Sequence, residues 1–320
     1  MPTRQCPYCG ANLSGTSKFC RGHHIKYRNQ LVTRYRSTSN SSVRESTLRE
    51  LTKYGWEAYI EDETPRGHAP RFRKFGVELE VILKNEAALN SISRDLNTYF
   101  NVNTESYNHR LSSSWKITTD GSLHPRNSCE LGREFVSPPF TSEEGFEQIK
   151  RVCSTLSEYN TYVNKTCGFH VHIDASGMTA KHIARLLKLY TDFEGYIDTM
   201  HAPSRRGPNS YYCRTIDSLY LRASERATSV REIANSCSVR YCKVNLQAYL
   251  RHGTVEFRQH SGTINKNKII HWVKFCMAMM DFAQSNKSWR TSDDLLSLLN
   301  LDEDEMTYWL GRIEYLRRTA

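Results

Sequence analysis

Three short stretches alternate so strictly that they constrain the fold more than anything else in the chain. They are Phe75-Gly76-Val77-Glu78-Leu79-Glu80, Gly168-Phe169-His170-Val171-His172-Ile173-Asp174 and Thr254-Val255-Glu256-Phe257-Arg258-Gln259-His260. Successive side chains on a strand point to opposite faces, so this period of two predicts three strands. Glu78 and Glu80 then share a face, as do His170, His172 and Asp174, and as do Glu256, Arg258 and His260. The other parity (Val77, Leu79, Val81; Phe169, Val171, Ile173; Val255, Phe257) is apolar and belongs against a core. One greasy face and one face of carboxylates, imidazoles and a guanidinium suit a site for metal and phosphate.

Taken singly, each stretch also fits a solvated strand face. Together they do not, because ordinary solvated faces lean on Thr, Lys, Ser and Gln. The composition, 24% charged and 38% hydrophobic over 320 residues, is that of a globular rather than a disordered chain. No apolar run approaches the ~18 residues that span a bilayer, and the polar first ten residues do not resemble a signal peptide. A cytoplasmic protein without a membrane partner is therefore expected.

The charge of +10 is uneven. Residues 1–75 carry 14 Lys/Arg against 6 Asp/Glu, a net of +8, and the remainder is near neutral at +2. A basic front end on a neutral body suits contact with nucleic acid or another anionic surface; it equally suits a leader that only aids solubility. Within it, Cys6-Pro7-Tyr8-Cys9-Gly10, then Cys20 and the pair His23-His24, has the spacing of a tetrahedral zinc site. Cys6, Cys9, Cys20 and one histidine, His23 or its neighbour His24, are the expected ligands of a structural Zn2+. A segment this small needs a metal to become ordered. The seven other cysteines are scattered and unpatterned, as expected of reduced thiols.

The pattern divides the chain into a zinc knuckle over 1–30, a basic linker or helix over 31–70, a main domain over 71–290 and a helical tail over 291–320. Residues 37–47 read as a polar linker or lead-in, followed by a short helix over Arg49–Ile60. In the main domain, Leu89, Ile92, Leu96 and Tyr99 recur at helical spacing. Trp115–Thr119 reads as a strand running into the turn Asp120-Gly121-Ser122, and Arg133–Val136 as another strand. Thr141 and Glu144 have capping-box spacing before the stripe Phe146, Ile149, Val152, Leu156. One amphipathic helix is expected from Ile183 to Met200, and a second over Ile269–Met280 whose methionines are core packing. Pro203–Arg214 is a loop bearing Arg205, Arg206 and Arg214. There is no Gly-x4-Gly-Lys-Ser/Thr loop, no Gly-x-Gly-x2-Gly turn and no Gly-x-Ser-x-Gly elbow. If nucleotide is used, metals and arginines must hold its phosphates.

In order along the chain stand Phe-Gly-x-Glu-x-Glu, Asp120-Gly-Ser, Glu134-Phe-Val-Ser-Pro-Pro, Gly-Phe-His-Val-His and Val-Glu-Phe-Arg-Gln-His-x-Gly-Thr. With Ser210-Tyr-Tyr-Cys213, Arg240-Tyr241 and Asn245 between them, residues 71–285 resemble the amidoligases. These are carboxylate–amine ligases related to glutamine synthetase and glutamate–cysteine ligase, common in bacteria and bacteriophages. The resemblance implies an α+β fold in which a curved antiparallel sheet forms a funnel with helices on its outer face. It implies two or more Mg2+ or Mn2+ ions on Glu78, Glu80, Glu134, His170 and Glu256, and contact of Arg258 with the phosphoryl group transferred from ATP. The substrate carboxylate is phosphorylated and an amine attacks the acyl phosphate, giving an amide, ADP and phosphate. The amine and carboxylate partners (amino acid, peptide or protein) are not named by the sequence. If the chain is phage-encoded, the expected cytoplasm is a host's.

Asp120 is a further metal ligand or the amine-binding group. His172, Arg205, Arg206, Arg214, Arg240 and His260 are candidate phosphate or substrate contacts, and Glu130 is an alternative to Glu134. Two other functions stay open at this level. One is a nucleic-acid-binding zinc-knuckle protein whose ligase-like domain is degenerate, and the other is a metal-dependent phosphoesterase or nuclease.

Overall fold

The computed structural model describes residues 73–319 apart from 109, 208, 209, 238 and 286, together with 40–53 and Tyr27, Leu31, Arg34, Tyr35 and Thr38. The expected zinc ligands Cys6, Cys9, Cys20 and His23 lie outside these residues. The chain divides into two compact units at Arg71/Phe72. In the first, α1 spans Ser41–Thr52 and begins where the Asn40 side chain accepts from the backbone N–H groups of Ser42 and Val43. That cap decides between the two readings of residues 37–47: Ser41–Thr47 is helix rather than linker, because one Asn at the N-cap outweighs a run of mediocre helix formers. Leu31 and Leu51 form a small core with Tyr27 and Tyr35.

The second unit is α+β, built on one seven-stranded sheet. Its strands are β1 (Phe75–Leu83), β2 (Val102–Thr104), β3 (Trp115–Thr118), β4 (Leu131–Val136), β5 (Gly168–Asp174), β6 (Val244–Asn245) and β7 (Thr254–Ser261). They lie in the order β2-β3-β4-β1-β5-β7-β6. All neighbours are antiparallel except β2 and β3, which run parallel, so the expected antiparallel sheet is mixed at one edge.

The apolar parity is fully buried: Val77, Leu79, Val81, Phe135, Phe169, Val171, Ile173, Val255 and Phe257 are at most 1% exposed. The helices α2 (Glu86–Leu96), α3 (Glu144–Glu158), α4 (Ala180–Asp192) and α9 (Lys266–Gln284) pack on the sheet and on one another. Ile92, Ile149, Leu186 and Cys276 are fully buried on these helices. Tyr99 lies beyond the end of α2 and is exposed. The expected capping box at Thr141 is absent: the N-cap of α3 is Glu143, which makes no side-chain cap bond. Thr179 and His182 instead form a reciprocal box at the start of α4.

The expected helix to Met200 is interrupted at Phe193, where a separate α5 (Glu194–Asp198) starts. Between α5 and β6 lie α6 (Ser218–Arg226) and α7 (Val230–Ser236), and α8 (Gln247–His252) joins β6 to β7. The last residues form α10 (Leu295–Leu298) and α11 (Glu303–Thr319). Trp309 of α11 packs edge-on against Trp272 and Phe275 of α9. No helix among the described residues is long and apolar enough to cross a membrane.

Candidate active site

The strand register brings the polar parity together. Across β1 and β5, Glu78 pairs with His170, and across β1 and β4, Glu80 pairs with Glu134. His172 faces Glu256 across β5 and β7, and Asn245 faces Glu256 across β6 and β7. His170 is the hub. Its Nδ1 lies 3.1 Å from Glu78 Oε2 and 3.6 Å from Glu256 Oε1, while Nε2 lies 3.8 Å from Glu80 Oε1. Two candidate cation sites result, Glu78/His170/Glu256 and Glu80/Glu134/His170, each with donor atoms within 4.8 Å of one another.

Supporting bonds aim these groups. Gly168 N–H donates to Glu80 Oε2 (2.5 Å), and Asn245 Nδ2 donates to Glu256 Oε2 (2.6 Å). Arg258 Nη1 donates to Glu256 Oε1, and Thr118 Oγ1 lies 3.5 Å from Glu134 Oε2. Gly168 has a steric reason to be glycine: a Cβ there would sit 2.8 Å from His170 Nε2 and 3.3 Å from Glu80 Oε2.

Charge in this cleft is crowded. Burial, then the charges of Glu78, Glu80, Asp120 and Glu256, push the Glu134 carboxyl well above the usual carboxylate range. Burial would raise Glu78 too, but His172 and His170 outweigh it and hold Glu78 well below that range. Glu256 is likewise held down against burial, by Arg258 and His172. His172 is raised because Glu78 overcomes the effect of burial. The buried Arg258 Nε has no hydrogen-bond partner among the described residues, whereas His172 Nε2 lies 3.2 Å from Glu78 Oε1. Four carboxylates with one imidazole, one carboxyl pushed up by burial and its neighbours' charge, and one orphaned buried donor beside them form a set that divalent cations and an anionic ligand would complete.

The site opens into a cavity of about 880 Å3. Lys116 closes one side, its buried ammonium reaching the carbonyl of Arg110 (2.8 Å) and Oδ1 of Asn108 (3.3 Å), which holds the loop that carries Tyr107. Tyr212 and Tyr241 line the cavity beside Arg240, whose Nη2 donates to Tyr241 Oη (3.1 Å) and whose guanidinium also binds Tyr107.

Not every expected residue arrives here. Asp120 lines the cavity, with Oδ1 accepting from Ser122 N–H, as do His172, Arg205 and Arg240. Arg205 is buried and bonded to the Cys167 carbonyl (2.7 Å) behind Gly168. Arg206 bonds the His201 carbonyl, and the exposed Arg214 lies over the Tyr211 ring, so neither reaches the cavity. Glu130 is at the surface, bonded to Tyr162 Oη, and cannot substitute for Glu134.

His260 is the clearest correction. β5 and β7 change register between Phe169↔His260 and Val171↔Phe257, so both Arg258 and Gln259 lie opposite His170. This bulge reverses parity and turns His260 to the apolar side, against Phe169, His201 and Trp272. Gln259 is buried and bonds Tyr190 and Asp198. Nothing in the sequence pattern marks Lys116 or Thr118, and Asn245 is placed only by resemblance; a lone polar residue in a short strand carries no periodic signal.

A family model described as "Putative amidoligase enzyme" matches residues 71–280. No curated protein matches the chain. With the match spanning most of its length, the chain belongs to the amidoligase family.

Proposed function

We propose that this amidoligase-family chain is an ATP-dependent carboxylate–amine ligase that makes an amide or isopeptide bond through an acyl phosphate. The observation that carries the reading is the convergence of four carboxylates on His170 beside the orphaned Nε of Arg258. An ATP tail and a substrate carboxylate repel each other, and this cleft repels both unless cations intervene. Two or more Mg2+ or Mn2+ ions held by Glu78, Glu80, Glu134, His170 and Glu256 would supply that neutralisation.

The chain's own groups have distinct parts. Arg258, fixed on Glu256, spreads its guanidinium charge over the phosphoryl group in flight, where positioning and charge matter more than covalent chemistry. The substrate carboxylate oxygen bonds to the γ-phosphorus and ADP departs. The amine nitrogen then bonds to the acyl carbon, phosphate departs, and the amine loses a proton. Asp120 binds the incoming amine, and His172, Arg205 and Arg240 contact phosphate or substrate. On this reading the sheet is the wall of a glutamine-synthetase-like funnel, the acceptors are an amino acid, peptide or protein, and the enzyme works in the cytoplasm. A structural Zn2+ on Cys6, Cys9, Cys20 and His23 or His24 completes the proposal.

The test is ADP release from the purified chain with Mg2+ against pooled carboxylates and amines. ADP that forms only when both acceptors are present supports the ligase. Acceptor-independent cleavage of phosphoesters or nucleic acid would replace it with the phosphoesterase reading.

A further inference from the structure

The cavity of the site does not end at its mouth. A groove of about 530 Å3 adjoins it and shares Leu111 and Pro139 with it. The groove is lined by the apolar Pro138 and Phe140 and by the hydroxyl residues Ser112, Ser113, Thr141 and Ser142. Among the described residues no Lys, Arg or His lines it, and Glu144 is its charged group. Leu111, at the junction, is 65% exposed. Tyr211, 60% exposed, packs its ring on the cavity-lining Tyr212 (4.9 Å between centroids) and Tyr241 (5.7 Å). Apolar residues scattered singly are ordinary on a surface, but apolar side chains gathered at the rim of a polar site mark a face that another molecule covers.

Given the ligation proposed above, we propose that the carboxylate substrate is a polypeptide. Its chain lies along this groove while an acidic side chain or terminal carboxylate enters the cavity.

Size, charge and lining select this occupant. The cavity of about 880 Å3 is within the range of roughly 300–1,000 Å3 that houses small ligands, so a nucleotide and the reacting groups suffice to fill it. A free amino acid drawn in by the carboxylate cluster would leave the groove empty, whereas a polypeptide is long enough to occupy both. Outside that cluster the exposed Lys74, Arg110 and Arg251, with Arg240, line the cavity against Asp120 and Asp174, which favours an acidic residue at the reacting end. The groove itself offers no cation to a phosphate backbone, which Lys and Arg must neutralise, so it does not suit a nucleic acid. Its hydroxyls can donate to and accept from peptide groups, and Leu111, Pro139 and Phe140 suit apolar side chains.

The experiment measures binding of a fluorescein-labelled random copolymer of glutamate, alanine and tyrosine to the full-length chain, by fluorescence anisotropy at physiological salt and without ATP. Saturable binding is expected, not displaced by free glutamate. Leu111→Ser, which removes the apolar junction, and Ser142→Trp, which fills the groove, should each weaken it on the order of tenfold. Both residues are exposed and both changes are neutral, so neither the fold nor the net charge of +10 would account for such a loss. Equal affinity in the parent and both variants, or displacement of the copolymer by oligothymidylate, overturns the proposal. Because ATP is absent, the result stands apart from ADP release. Groove-dependent binding without ADP from any acceptor pair supports the docking and removes the ligation; ADP from free amino acids with no groove-dependent binding does the reverse.

Discussion

Glu80 and Glu134 stand directly opposite each other on adjacent strands, both buried, with His170 completing a possible ligand set. Like charges facing across a sheet destabilise it, and burial removes the water that would screen them. A divalent cation between them would offset that repulsion.

Glu134→Gln therefore separates stability from binding. Without metal the variant should be at least as stable as the parent, since a carboxyl whose charged form burial and its neighbours disfavour is gone. With Mn2+ it should lose most of the stabilisation that the parent gains, which is about 2.7 kcal/mol at a hundredfold excess over Kd. Thermal unfolding with and without Mn2+ measures both, and an equal Mn2+ shift in the two proteins removes Glu134 from the site.

Arg258→Lys keeps the charge but loses the planar fork. Removing one preorganised contact of this kind commonly costs ~3 kcal/mol, or ~10²-fold in rate. Acceptor-dependent ADP release should fall on that order while ATP still binds by calorimetry. Full turnover in the variant would make Arg258 structural.

Gly168→Ala places a methyl group 2.8 Å from His170 Nε2 in a central strand. Overpacking of this kind costs roughly 1–3 kcal/mol, and the displaced imidazole should weaken Mn2+ binding by tenfold or more. Titration of Mn2+ by electron paramagnetic resonance reads the affinity. Unchanged binding would show that the hub can shift without harm.

His260 is buried against His201 and Trp272, and its pKa is lowered from 6.5 to about 3, burial being the largest cause. Between those values the unfolded chain binds a proton that the folded chain excludes. This contribution is complete above pH 6.5 and is lost as pH falls toward 3, by up to about 1.4 kcal/mol per pH unit. Glu78 and Glu256, both lowered, add losses of the same sign at lower pH. Urea unfolding of metal-free protein at pH 7.5, 6.5 and 5.5 should give a shallower pH dependence for His260→Gln than for the parent. Identical slopes would mean that His260 does not exclude the proton.

For the N-terminal cysteines, elemental analysis of the full chain should find one zinc, lost on Cys9→Ser. No zinc in the parent would leave residues 1–30 as a basic leader.

What the sequence determined was local. A period of two fixes which side chains share a strand face, so Glu78 with Glu80, and His170 with His172, could be read without coordinates; a period near 3.6 likewise marked α3, α4 and α9. Parity holds only while the ladder is regular, and the structure decided where it is not. One extra residue in β7 sends Arg258 to the site and His260 to the core, although both stand on the same parity in the sequence. Tertiary pairing also decided which strands are neighbours. It set Glu80 against Glu134, some fifty residues away, and Asn245 against Glu256, and it left Glu130 and Arg214 at the surface. A strand's own pattern records which face a residue takes, whereas its partner across the sheet follows from long-range packing that no single stretch encodes.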